Sequence, residues 1–64
     1  MKILYIIFLF LNNQSLDSIF DSSNDLYING NYQMAIEGYQ SILNLGFEIA
    51  EIYYNLGNSF YNLN

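Results

Sequence analysis

Ala50-Glu51-Ile52-Tyr53-Tyr54-Asn55-Leu56-Gly57-Asn58-Ser59-Phe60-Tyr61 is the stretch on which the fold of this 64-residue chain turns. Ile52, Tyr53, Leu56, Phe60 and Leu63 recur at spacings of three and four, the period of one side of an α-helix. The spacing predicts a helix from near Ile49 onward. The chain has no proline to interrupt it.

Working outward, Gly46 is a stop before this helix, and a second periodic segment precedes it. From about Tyr32, Ala35, Ile36, Tyr39, Ile42 and Leu43 share one face. Gly38 lies inside that segment, where glycine costs about 1 kcal/mol relative to alanine. It either lets two helices approach closely or has no packing role. Asn29-Gly30-Asn31 marks a further stop, since Gly and Asn tolerate the left-handed conformation at a helix C-terminus. Before it, Leu16, Ile19, Phe20, Ser23, Leu26 and Tyr27 predict a helix beginning near Asp17. Asp17, Asp21 and Asp25 occupy its opposite face, which reads as a solvated face near the positive end of a helix dipole. A calcium loop needs a glycine turn and closely alternating ligands, and this segment has neither. Short turns force antiparallel neighbours, so an αα-hairpin with a third helix packed on it is expected.

Sliding the chain by 34 residues brings Leu16 onto Ala50, Asp17 onto Glu51, Phe20 onto Tyr54, Asn24 onto Asn58, Leu26 onto Phe60 and Tyr27 onto Tyr61. That is the period of tetratricopeptide (TPR) helix–turn–helix repeats. Residues 50–61 resemble the first helix of a TPR, with Tyr53, Leu56-Gly57 and Phe60 at its marking positions. Gly30-Asn31-Tyr32, then Ala35 and Tyr39, resembles the turn and second helix. Ser22-Ser23 replaces Leu-Gly in the first helix, Ile42 stands where a small alanine is usual, and Phe47 where proline is usual. The resemblance covers residues 16–64 and extends to the aerotolerance-operon TPR proteins of the BatE type, which are exported or membrane-associated. It implies an all-α fold of about one and a half repeats, an α-solenoid fragment, in which Gly57 and Ala35 let paired helices approach.

TPR arrays bind peptides or protein surfaces in the groove lined by their first helices. Carried over, the resemblance implies a partner site of Phe20, Asn24, Tyr27, Tyr54, Asn58 and Tyr61. Tyrosine offers a rigid contact surface with a hydroxyl, and asparagine can hydrogen-bond a peptide backbone. The plain alternative is that the aromatics pack against neighbouring helices. One TPR subtype clamps the C-terminal carboxylate of chaperones with Lys and Asn. Asn24 and Asn55 match it in place, but Phe20 stands at the first lysine position and the region has no cation. A basic or neutral protein or peptide suits the acidic groove better.

Composition narrows the function classes. Cysteine and histidine are absent, which removes disulfides, thiolate chemistry, common zinc sites and the usual general acid–base residue. No cofactor or metal site is expected, nor enzyme activity. The formal net charge is −5, with all six acids after residue 16 and Lys2 the only cation. Nucleic-acid binding draws its affinity from Lys and Arg on phosphates, so none is expected. A cationic membrane-active peptide is disfavoured on the same count.

The N-terminus carries Lys2, an unbroken apolar run from Ile3 to Leu11, and a polar exit at Asn12-Asn13-Gln14-Ser15. This is the pattern of a secretory signal peptide, and the run is about half of the roughly 20 residues that span a bilayer. Ser15 is small enough to precede a cleavage site, whereas Asn13 fits it poorly. An uncleaved anchor and a buried element of the domain are the alternatives.

The expected organisation is thus a targeting segment at 1–15, a TPR repeat at 16–49, and the first helix of an incomplete second repeat at 50–64. The expected function is a non-catalytic interaction scaffold, exported to the periplasm or membrane-associated if the leader works and cytoplasmic otherwise. A membrane would be met only through the leader. The alternative is a truncated remnant of a longer TPR protein without independent function, because solenoids usually need three or more repeats. Self-association through the uncapped third helix is a further expectation.

Overall fold

A computed structural model describes residues 15–64, so the segment expected to act in targeting, Ser15 apart, lies outside the described residues. The described part is all-α, with helices α1 (Leu16–Ile28), α2 (Tyr32–Asn44) and α3 (Ala50–Leu63). Each begins within a residue or so of the position the periodicity predicts.

Local chemistry sets the boundaries. Ser15, in extended backbone, caps α1 by accepting the Ser18 N–H at 3.1 Å on its side-chain oxygen. At the other end Gly30 has φ 82°, a left-handed value that spares glycine the Cβ clash. The Gly30 N–H reaches the Tyr27 carbonyl at 3.1 Å and the Asn31 N–H reaches Leu26 at 2.8 Å. These are the paired bonds of a Schellman stop, and they turn the chain back as α2. Gly46, with φ 99°, ends the α2 turn in the same region of backbone space.

α2 is the central helix. Its Ala35, Ile36, Tyr39 and Ile42 are buried and meet Ile52 and Leu56 of α3, while Leu16, Ile19, Phe20, Leu26 and Tyr27 of α1 pack against that cluster. At about 25 cal/mol per Å² of apolar surface, these side chains supply most of the drive to fold. Close approach of α1 and α2 is set by Gly38. A Cβ there would overlap Ser23 Oγ and stand 3.1 Å from Ser23 Cβ. Ser23 is itself buried and donates its hydroxyl to the Ile19 carbonyl at 2.8 Å.

Two expectations change. Gly57, expected to permit helix approach, has nothing within 4 Å of its Cβ position, whereas Gly38 performs that role. The inward side of α3 is also rotated from the apolar stripe. Ile52, Asn55, Leu56 and Ser59 are buried, while Tyr53, Phe60 and Leu63 are exposed. The rotation is possible because Asn55 finds polar partners inside and the Ser59 hydroxyl donates to the Asn55 carbonyl at 2.7 Å. No buried side-chain nitrogen or oxygen among the described residues lacks a partner.

Candidate functional site

Antiparallel steps from α1 to α2 and from α2 to α3 bring α1 and α3 side by side in the same direction. Their cross-links fix the register. Asn55 Nδ2 donates to Asn24 Oδ1 at 3.4 Å and Asn58 Nδ2 donates to the Tyr27 hydroxyl at 3.0 Å, each across a separation of 31 residues. Two rungs with one offset describe parallel neighbours.

The first rung is centred on Tyr39. Its ring is fully buried, and a buried tyrosine hydroxyl needs a partner. It has two: the hydroxyl donates to Asn24 Oδ1 and accepts from Asn55 Nδ2 at 3.0 Å. Burial pushes the Tyr39 phenol above its ordinary value of 10.0. The Asn55 hydrogen bond partly offsets this, and the charges of Glu51 and Tyr27 add to the rise. Tyr39 therefore remains a protonated donor at neutral pH, holding Asn24 in place. Edge-on contacts from Phe20 at 6.5 Å and Tyr27 at 6.5 Å fix its ring.

The six residues expected to line a partner site divide into two groups. Phe20, Asn24, Tyr27 and Asn58 are half-buried and engaged within the molecule. Phe20 and Tyr27 brace Tyr39, and Tyr27 also meets Tyr32 edge-on at 6.0 Å. Asn24 and Asn58 are the inter-helix ties. Tyr54 and Tyr61 are 71% and 81% exposed and flank Asn58 along α3. Phe20-Asn24-Tyr27 on α1 and Tyr54-Asn58-Tyr61 on α3 have the same i, i+4, i+7 spacing, so a stripe half committed to packing lies beside one that is largely free.

Each asparagine keeps part of its bonding capacity. Among the described residues, the Asn24 amide N–H groups and the Asn58 side-chain carbonyl have no partner. One donor site and one acceptor site thus remain on adjacent helices, the complement that an extended backbone presents. Asp17 and Asp21 on α1 and Glu51 on α3 lie toward the N-terminal ends of these helices, giving that end negative charge.

Sequence reading placed Tyr39 in the core but gave its hydroxyl no role, and it noted Asn55 only as a position match. The available signal was the pairing itself. A tyrosine on an apolar face requires a polar companion, and Asn55 interrupts the apolar side of α3 between Ile52 and Leu56.

Among the described residues, no helix is long and apolar enough to cross a membrane. No protein-family model, curated protein or solved structure matches this chain.

Proposed function

We propose that the chain is a non-catalytic helical-repeat interaction unit of the TPR type. It takes an extended neutral or basic peptide along the groove between α1 and α3. The observation that carries this reading is the parallel pair of stripes Phe20-Asn24-Tyr27 and Tyr54-Asn58-Tyr61, with Tyr54 and Tyr61 largely exposed. The sequence resemblance to TPR proteins, from which these six positions were carried over, supports the same reading. Phe20, Tyr27 and the Tyr39 rung stiffen the floor, while Tyr54 and Tyr61 offer aromatic surface that needs little ordering on binding. Asn24 and Asn58 offer the backbone a donor and an acceptor. The acidic N-terminal end selects against acidic peptides.

A working leader at the apolar N-terminal run would export this unit to the periplasm or hold it at the membrane, and without one the unit stays in the cytoplasm. Fractionation of the native cell, with N-terminal sequencing of the product, tests that assignment.

Binding is tested on an array of extended peptides matched in hydropathy and varied in charge, followed by fluorescence anisotropy of the best binders. Neutral and basic peptides are expected to bind, acidic ones not. Tyr54→Ala and Tyr61→Ala each weaken binding about tenfold, the typical size of an interface aromatic contact, with helicity unchanged. Equal binding by acidic and basic peptides, or full binding by both variants, overturns the reading.

A further inference from the structure

Asn29 is the only asparagine in the chain that a glycine follows, and it stands exposed in the turn between α1 and α2. Asparagine is thermolabile because the next residue's backbone nitrogen can attack its side-chain carbonyl. A side chain on that next residue hinders the attack, and glycine has none. Asn24, Asn44, Asn55, Asn58 and Asn62 lie in helices and precede residues with side chains, and Asn31 precedes Tyr32. The stop of α1 holds the Asn29-Gly30 pair out of reaction. With ψ at 1° for Asn29, the Gly30 nitrogen eclipses Asn29's own nitrogen and lies away from Cβ and Cγ. The Gly30 N–H is also donated to the Tyr27 carbonyl at 3.1 Å, and the Asn31 N–H to the Leu26 carbonyl at 2.8 Å. Attack needs the Gly30 nitrogen stripped of its proton and swung onto Cγ about the Asn29 Cα–C bond. Both hydrogen bonds must open first.

We propose that Asn29 is a site of spontaneous deamidation, guarded by the α1 stop, whose conversion unlatches α1 from α2. The Gly30 nitrogen bonds to Asn29 Cγ, the Cγ–Nδ2 bond breaks, and the former Gly30 amide proton leaves with Nδ2 as ammonia. Water then opens the cyclic imide. Cleavage of the new N–Cγ bond gives aspartate. Cleavage of the original C–N peptide bond gives isoaspartate, whose backbone runs through Cβ and Cγ. The net change either way is an NH2 group replaced by an ionised OH. Both products put a carboxylate at the negative end of the α1 dipole, four residues from Asp25, and that helix has no basic residue in its last turn. Isoaspartate also adds a methylene to the backbone, which carries the Gly30 and Asn31 N–H groups away from the Tyr27 and Leu26 carbonyls. Tyr27, which ties α1 to α3 through Asn58, sits in that same last turn. The modification therefore reinforces itself: it needs the turn open, and it leaves a turn that closes less well.

The full chain is incubated in warm, mildly alkaline buffer, both folded and in unfolding guanidinium chloride, and followed by peptide mapping with mass spectrometry. Asn29 is expected to convert before any other asparagine in both, and about tenfold or more slowly in the folded chain. Asn29→Gln, whose cyclisation needs a larger ring, is expected to stop the conversion even when unfolded. The separated isoaspartate product should unfold at lower urea than Asn29→Asp, and Asn29→Asp at lower urea than the unmodified chain. Equal rates in the folded and unfolded chain overturn the guarding role of the turn. Faster conversion of another asparagine overturns the assignment of the site. Products that unfold together with the unmodified chain overturn the unlatching.

Discussion

The Asn55 side-chain amide donates to the Tyr39 hydroxyl at 3.0 Å, and through that hydroxyl α2 holds α1 and α3 in one register. The bond joins two buried groups, so its removal costs more than a hydrogen bond exposed to water. Tyr39→Phe keeps the ring and its edge-on contacts with Phe20 and Tyr27 but strips Asn55 Nδ2 and Asn24 Oδ1 of their shared partner. The two amides then keep only their long 3.4 Å contact with each other, and leaving a buried polar group so poorly satisfied destabilises by about 1–3 kcal/mol. Urea unfolding is expected to show a loss in that range with the denaturant slope unchanged. Asn55→Leu on the Tyr39→Phe background should recover part of it, because the buried amide is gone and only the half-buried Asn24 carboxamide, within reach of water, is left without a protein partner.

The same hydroxyl makes stability sensitive to alkali. Burial raises the folded-state ionisation of Tyr39 above the ordinary phenol value of 10.0, which the unfolded chain recovers. The folded state then holds the Tyr39 proton more tightly than the unfolded state does. Its contribution is fully present below pH 10.0 and is lost as pH rises through the raised folded value. Thermal unfolding followed between about pH 8 and 11 is expected to show stability falling only above the phenol range, by no more than about 1.4 kcal/mol per pH unit from this group. Tyr39→Phe should remove that part of the slope. A wild-type slope matched by the variant would show that Tyr39 ionises equally in both states.

The elements that sequence made legible have one packing side each. α1 and α2 turn toward the core the residues their periodicity marks, those of α1 only partly buried apart from Ser23, and Asn29-Gly30-Asn31 and Gly46 turn the chain where expected. α3 is harder because polarity and burial part company on it. Tyr53 and Phe60 are apolar and exposed, while Asn55 and Ser59 are polar and buried. A hydrophobic period sorts residues by type and has no knowledge of the Tyr39 hydroxyl and Asn24 carbonyl that make a buried Asn55 acceptable. The same blindness affected Asn24 and Asn58. Their spacing beside aromatic residues was readable, but their inward bonds to Tyr39 and Tyr27 depend on how α1 and α3 lie against each other.

Gly38 and Gly57 should respond in opposite directions to the same substitution. A methyl at Gly38 would overlap Ser23 Oγ and stand 3.1 Å from Ser23 Cβ, and a buried serine held to the Ile19 carbonyl has little room to yield. Overpacking of this kind costs typically 1–3 kcal/mol, about as much as or more than the roughly 1 kcal/mol that alanine gains over glycine in a helix. Gly38→Ala is expected to be neutral to destabilising, and Ser23→Gly in the same chain should relieve the clash. Gly57→Ala meets only open space within 4 Å and is expected to stabilise the dilute monomer by about 1 kcal/mol. Urea unfolding of both variants at low micromolar concentration separates them. A stabilised Gly38→Ala would mean that α1 and α2 are further apart than this packing requires.

Ser15 joins the leader question to the stability of α1. Its side-chain oxygen accepts the Ser18 N–H at 3.1 Å, satisfying one of the donors a helix start leaves free. Replacing such a cap by alanine costs about 1 kcal/mol, so Ser15→Ala should lower the unfolding free energy by that amount, whereas Ser15→Asp should preserve it. Cleavage directly after Ser15 would remove the cap and leave the ammonium of Leu16 at the positive end of the helix dipole, a second unfavourable change. A product cut before Ser15 keeps the cap. Unfolding curves of chains beginning at Asn13, Ser15 and Leu16 are expected to shift to lower urea in that order, a small step for the ammonium on Ser15 and a larger one when the cap itself is lost. If all three coincide, the Ser15 cap adds nothing measurable and α1 is held by its packing on α2 alone.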